Sequence, residues 1–397
     1  MRLGRIVVAG SLAALVLALA ACGDIFRPIV NPITPPGGDP QAFRLALVVN
    51  EGGTPGTTTQ INVSGDTNSG NFVMGQAPVH ATFAGVSGAF VANRDSDSVS
   101  AYVPSQQASQ VRTVTLPAGS KPVFVHTTET STNGNCLSGA NTRAACLYVA
   151  NSGSNKVGVI DSVQLVLRDE VVVGNSPVAL VETPDVKKVY ALNKGSGSIS
   201  VITTSDMQAN TTIAVGASPV WAVMRPDGAR LFVVNQGSST VSVIDTASDT
   251  VINTLNTGAG PTHAFYDDRL KRLWVVNTGA GTVSVFGTDV EPNPLLAEIP
   301  VGAAPRAVVA LADGSRAYVA NSGAGTVSVV DQVSLKATKT IAVGSGPVWV
   351  AASPDSTKVF VANRDSNSVS DIRTSDDTVV RTIATGSPNP VFITVSP

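Results

Sequence analysis

The stretch Val220–Leu255, VWAVMRPDGARLFVVNQGSSTVSVIDTASDTVINTL, decides the fold of this chain. Val220 to Met224 runs into a Pro226-Asp227-Gly228 turn, and Leu231 to Asn235, Thr240 to Asp245 and Val251 to Leu255 follow, separated by clusters of Gly, Ser and Asp. β-Branched and aromatic runs bounded by such turns predict four short strands in an antiparallel meander, here named A to D in chain order. Strand B, Leu231-Phe232-Val233-Val234, is apolar at successive positions, so both of its faces should be buried. Strand C alternates Val241 and Val243 with the small Ser242, a shallower surface on which a neighbouring sheet can lie. No segment keeps a helical period.

The unit recurs. Strand B ends in asparagine at Asn50, Asn93, Asn151, Asn193, Asn235, Asn277, Asn321 and Asn363, with spacings of 43, 58, 42, 42, 42, 44 and 42 residues. A repeat of this period made of sheets that need sheets on both sides predicts radial stacking, and it explains how some 355 residues can share one domain when a single compact core rarely exceeds about 300. The asparagine is read as structural, ending strand B through left-handed backbone angles or a local side-chain bond to backbone. Asp161, Asp245 and Asp331 at the ends of strands C are read the same way.

Strand A follows a proline at Pro78, Pro122, Pro177, Pro219, Pro261, Pro305, Pro347 and Pro390. The first strand B, at Leu45, has no strand A before it, and the last strand A, Val391 to Val395, has no strand B after it. The two remnants complement each other, so an all-β propeller of eight four-stranded blades is expected, closed by the C-terminal strand. Closure removes an edge whose unpaired backbone would seek another chain. Seven blades is the alternative if the first unit, with its insertion around Gly52 to Thr59, is not a blade.

Segments such as LYVANSGSNKVGVIDS and AYVANSGAGTVSVVDQVS resemble the YVTN β-propeller repeat of bacterial and archaeal envelope and surface-layer proteins, over about Phe43 to Pro397. Tyr-Val-Thr-Asn itself does not occur, because Ala, Val or Leu replaces the threonine. The better-known members have seven blades. The wider superfamily includes lactonases and cytochrome d1-like redox enzymes, and a shared fold does not by itself fix chemistry.

The N-terminus predicts the compartment. Arg2 and Arg5 precede an apolar run from Ile6 to Leu19, too short for a membrane span but suited to a signal peptide. Leu19, Ala20, Ala21 and Cys22 resemble the lipobox of bacterial lipoproteins, which implies acyl chains on Cys22 and stable membrane anchoring. The expected organisation is a signal peptide over 1–21, a lipidated Cys22 with a Pro/Gly-rich tether over 22–42 spanning about 50 Å, and a propeller over 43–397. Gly23 rather than Asp follows the cysteine, which favours the outer membrane.

Of 26 basic and 28 acidic side chains the signal peptide takes two basic ones, leaving a net charge of about −4 with no long basic run, so nucleic acid is not an expected partner. Cys136 and Cys146, ten positions apart in a secreted chain, are expected to form a local disulfide that ties down an insertion in an A-to-B loop. His80, His126 and His263 are far apart in sequence, so no metal site is expected. No CxxCH sequence occurs, and no cofactor is expected.

In a meander the D-to-A and B-to-C turns share one end, here the top, and strand A lines the channel. The second residue after each proline is His80, Phe124, Ala179, Trp221, His263, Ala307, Trp349 and Phe392, a ring rich in aromatics for a protein that has few. With Arg306 beside it, this mouth suits a flat or sugar-like ligand; the competing reading is that the rings simply fill a tapering channel. Arg94-Asp95 and Arg364-Asp365 repeat in top-face turns, either as a polar docking pair or as solvated turns. Glu129 and Glu182 are expected later in their strands A, inside the channel.

The function expected from these features is a non-catalytic cell-envelope lipoprotein that binds or scaffolds a protein or saccharide through its propeller. The alternative is a lactonase-like enzyme with its site at the channel mouth.

Overall fold

A computed structural model describes residues 44–84, 88–104, 110–127, 136 and 146–396. The chain divides into Met1–Ala42 and Phe43–Pro397, and every described residue belongs to the second unit. The expected signal peptide, Cys22, the tether and Glu129 lie outside the described residues. Among those described, no helix is long and apolar enough to cross a membrane.

The described residues form eight four-stranded antiparallel sheets. Blade 1 has the strand order Thr67–Val73, Thr57–Asn62, Leu45–Asn50, Pro390–Val395, so the last strand of the chain is the inner strand of the first blade. Ala46 lies opposite Val395 and Val49 opposite Phe392, which closes the ring as the two incomplete end repeats predict. The count is eight, not seven. Blades 2 to 8 follow in sequence order, from strand A at Pro78–Ala84 in blade 2 to strand A at Pro347–Ala352 in blade 8.

The core is a set of layers between blades rather than one central mass. Phe232, Val234 and Val243 of blade 5, for example, pack on Ala264, Leu273 and Phe286 of blade 6. Strand B is buried along nearly its whole length in every blade. This is what apolar residues at successive positions require.

The repeated asparagine is structural, but by a different device from the one expected. Asn93 sits at φ −109°, ψ 99°, an extended rather than left-handed conformation. Its Nδ2 donates to Ser98 and Ser100 at the start of strand C. Asn235 does the same to Thr240 at 3.2 Å and Ser242 at 2.9 Å. The bond therefore crosses the B-to-C hairpin side chain to side chain. Asn151 is the exception: Lys156 and Gly158 stand where the hydroxyls would be, and both of its polar atoms are buried without a partner. In blades 2 and 4 to 8 the connection entering strand A crosses close over the asparagine, and a Cβ on Gly216 would lie 2.7 Å from the Asn235 Cβ.

Asp161, Asp245 and Asp331 accept backbone N–H bonds from the turns after strand C, as expected of turn residues. Cys136 and Cys146 form the expected disulfide, with both residues buried against Tyr148 and Met207.

Candidate functional site at the channel mouth

Each strand A begins with a proline opposite the strand-B asparagine, while the residue two further on lies opposite the one before that asparagine. The residue between is bulged out in all eight blades. Proline suits this first position because it has no N–H to leave unpaired. The residue before it has positive φ in every blade, from 47° at Lys121 to 62° at Gly346. Its carbonyl accepts the N–H of the residue after the asparagine, as in Lys194 to Ser176 and Gln236 to Ser218. That latch ties the D-to-A turn to the B-to-C turn and places both on the top end.

The bulge brings the side chains of the ring together. His80 stacks on Phe124 at 3.8 Å between ring centroids and meets Phe392 in a tilted pair at 4.3 Å. Trp221 meets His263 at 4.9 Å and Trp349 at 5.4 Å, and Trp349 meets His263 at 4.9 Å and Phe392 at 4.7 Å. Trp221 and Trp349 stand three blades apart in the ring, so the aromatic layer reaches across the channel and forms a floor. Phe124, Trp221 and Trp349 remain half-buried, whereas His80, His263, Ala179 and Ala307 are buried.

Several of these side chains also join blades. Strand A is the inner edge of its sheet, and an unpaired edge group costs free energy if no partner reaches it. Val125 N–H donates to His80 Nδ1 of the preceding blade, and Val308 N–H to His263 Nδ1, both at 3.4 Å. Trp221 Nε1 donates to the Ala264 carbonyl of the next blade at 3.0 Å. Burial lowers the pKa of each of these two histidines to about 3, so both are neutral acceptors at physiological pH.

Arg306 is exposed beside the ring. Arg94 pairs with Asp95 and with Glu51 of blade 1, at 2.9 and 3.0 Å, and its bond to Asp95 holds that carboxyl below the usual carboxylate range. Arg364 and Asp365 are exposed in the corresponding turn of blade 8. The structure thus gathers the aromatic residues into one layer and engages Arg94 across blades 1 and 2. The contribution of Glu51 was not visible in sequence.

A second cluster lies lower in the channel. His126 Nε2 is 3.7 Å from Glu182 Oε2, across blades 3 and 4. Sequence reasoning placed Glu182 and Glu129 in the channel; Glu129 lies outside the described residues, and His126 is the neighbour seen beside Glu182. The signal for His126 was its place two residues beyond Phe124, on the same face of strand A. Among the described residues no three His, Cys, Asp or Glu side chains are grouped to hold a metal ion.

A family model described as YNCE-like beta-propeller matches residues 67–396. No sequence match was found among curated proteins. Among solved structures, the dihydro-heme d1 dehydrogenase NirN is similar at a TM-score of 0.70 and 14% identity, covering 92% of this chain and 77% of that one. The periplasmic gluconolactonase PpgL of Pseudomonas aeruginosa gives 0.60 and 18%, covering 89% and 99%. A Kuenenia stuttgartiensis hydrazine synthase chain gives 0.59 and 22%, covering 75% and 96%. At these identities the likeness is one of fold.

Proposed function

This chain belongs to the YNCE-like β-propeller family, and from that premise we propose that it is a non-catalytic binding module of the cell envelope, held by a lipid on Cys22. The observation that carries this reading is the aromatic floor at the channel mouth, in which Trp221 and Trp349 present half-buried indole faces beside the exposed Arg306. Indole faces beside polar groups suit the apolar face of a sugar ring or an aromatic side chain of a protein partner. The lactonase-like alternative asks the two mouth histidines to move protons, but each already accepts a backbone N–H and is held neutral by burial.

The test uses the chain's own fluorescence. Of its three tryptophans, two are in the floor and Trp274 is fully buried. Titration with an oligosaccharide and aromatic-peptide panel is expected to give a saturable emission change, with Trp221→Ala and Trp349→Ala each weakening affinity at least about tenfold, the scale of one lost aromatic contact. Panel binding that both variants retain would overturn the proposal. The envelope part is checked separately: Cys22→Ser should abolish incorporation of labelled fatty acid and release the protein from membranes.

A further inference from the structure

Below the aromatic floor the channel wall changes character. Two positions further along strand A, the side chains of Thr82, His126, Val223, Phe265, Ala351 and Thr394 are half-buried. They form a ring closed above by stacked aromatics and polar on one side only. Next to His126, Glu182 of blade 4 turns back toward blade 3 with its side chain only 4% exposed.

A buried carboxyl normally has a fixed cation or a set of N–H donors. Several other acids follow that rule, whereas Asp371, at the seam between blades 8 and 1, departs from it. Asp249 has Lys188 and the Tyr190 hydroxyl, Asp377 has Arg316 and the Tyr318 hydroxyl, and Asp161 has Arg168 and two turn amides. Among the described residues Glu182 has no lysine or arginine, only the His126 imidazole.

We propose that Glu182 and His126 form a site for a small organic cation of the primary alkylammonium class, which enters from the lower end and lays its carbon skeleton against Val223 and Phe265. The ammonium donates to the Glu182 carboxylate, and His126 and the threonine hydroxyls accept its remaining N–H groups. This site is independent of the channel-mouth reading, because the aromatic floor separates the two.

Burial, with a smaller contribution from Asp185, raises the Glu182 pKa to about 8, and burial lowers His126 to about 4. The Tyr148 phenol faces Glu182 from strand B of blade 3, and its own ionisation is pushed further up by that carboxyl. His126 lies close enough to His80 to disfavour protonation of His80 further. At pH 7 the empty site therefore holds a protonated carboxyl and a neutral imidazole. Binding of an alkylammonium releases the Glu182 proton to solvent, so one cation enters and one proton leaves.

Calorimetric titration of the full-length protein with butylammonium and with 1-butanol, in buffers of different ionisation heat, tests this. Butylammonium is expected to bind at least about tenfold more tightly than 1-butanol. About one proton should be released per site at pH 7, with affinity rising about tenfold from pH 6 to pH 7. Glu182→Gln should erase the preference for the cation, and Lys336→Ala, on the exposed outermost strand of blade 7, should keep it. Equal affinity for the two ligands in the wild type, or binding without proton release, overturns the proposal even if Glu182→Gln fails to fold.

Discussion

Blades 4 to 8 and blades 1 to 3 solve the same packing problem with different chemistry. In blades 4 to 8 strand B begins with Lys188, Arg230, Arg272, Arg316 and Lys358, and each reaches the C-to-D turn of the next blade. Lys188 donates to the Thr246 carbonyl and to Asp249, which also accepts the Tyr190 hydroxyl at 2.7 Å. Arg316 and Tyr318 meet Asp377 in the same way, at 3.0 and 2.6 Å. Burial and the neighbouring carboxylates keep both phenols protonated well above their usual range. In blades 1 to 3 the position is Leu45, Gly88 or Cys146. Those blades meet through a Thr58–Tyr102 hydroxyl contact, a bond from Thr127 to the Phe83 carbonyl and a core that includes the disulfide. Where the repeat is regular, a cation at the start of strand B staples neighbouring blades; where it is interrupted, that staple is absent and the Arg94–Glu51 pair joins blades 1 and 2 at the top. Glu182, which has no lysine or arginine partner among the described residues, faces that irregular arc across the boundary between blades 3 and 4.

The sharpest way to break the contrast is to open the ring. Deleting residues 390–397 removes buried Phe392 and Ile393 and exposes the edge of Leu45–Asn50. The expected loss approaches the whole ~5–15 kcal/mol of a typical domain. Equilibrium denaturation should show no cooperative native transition, and a truncated protein that melts like the full chain would show that the end-to-end pairing is dispensable.

The staple itself comes next. Tyr318→Phe with Arg316→Met leaves Asp377 without the buried Tyr318 hydroxyl and the half-buried Arg316, and stability should fall by about 2–4 kcal/mol in urea titrations. Substituting the exposed pair Lys187 and Asp185 should change little, because exposed ion pairs are weak.

One acid in the stapled arc departs from its repeat. Asp371 stands where Val243 and Val329 stand in blades 5 and 7, fully buried at the seam between blades 8 and 1, with Lys358 at 3.8 Å. Burial, reinforced by Asp66, raises its pKa, and Lys358 only partly opposes this. A carboxyl raised in the folded state lends stability in full below its unfolded pKa of about 4 and loses it as pH climbs through the raised folded value. The wild type should therefore gain stability on acidification toward pH 5, by up to about 1.4 kcal/mol per pH unit while the group titrates, relative to Asp371→Val. Near pH 8 the valine variant should melt higher. Parallel melting curves across pH 5–8 for the two proteins would exclude this role for Asp371.

The smallest effect restores regularity to blade 3. A Cβ on Gly158 would lie 3.1 Å from Asn151 Nδ2, where Ser242 serves Asn235 in blade 5. Gly158→Ser should give that buried amide a partner and stabilise by about 1 kcal/mol, read as a rise in denaturation midpoint. A fall in midpoint would show that blade 3 does not share the geometry of the regular blades.

Much of this architecture was legible in the chain. The double-sided apolar character of LFVVN and its seven counterparts required sheets as neighbours, and the unmatched ends predicted closure. The aromatic ring followed from counting two residues past each proline. The asparagine bonds were encoded as hydroxyls five and seven positions later, but a spacing does not show which atoms meet across a hairpin. The staples were harder to see, because Lys188 and Asp249 are 61 residues apart and nothing local marks them as partners.

By itself the sequence determined the blade, its repetition and the residues on each face of a strand, because these follow from side-chain periodicity and turn chemistry within about forty residues, while the choice of eight blades over seven came from the structure. Only the tertiary structure decided that Trp221 touches Trp349, that Glu182 faces His126 and that Asp371 is buried at the seam. Those contacts arise when the ring closes and the width of the channel sets which side chains meet across it, a distance that no stretch of one strand carries.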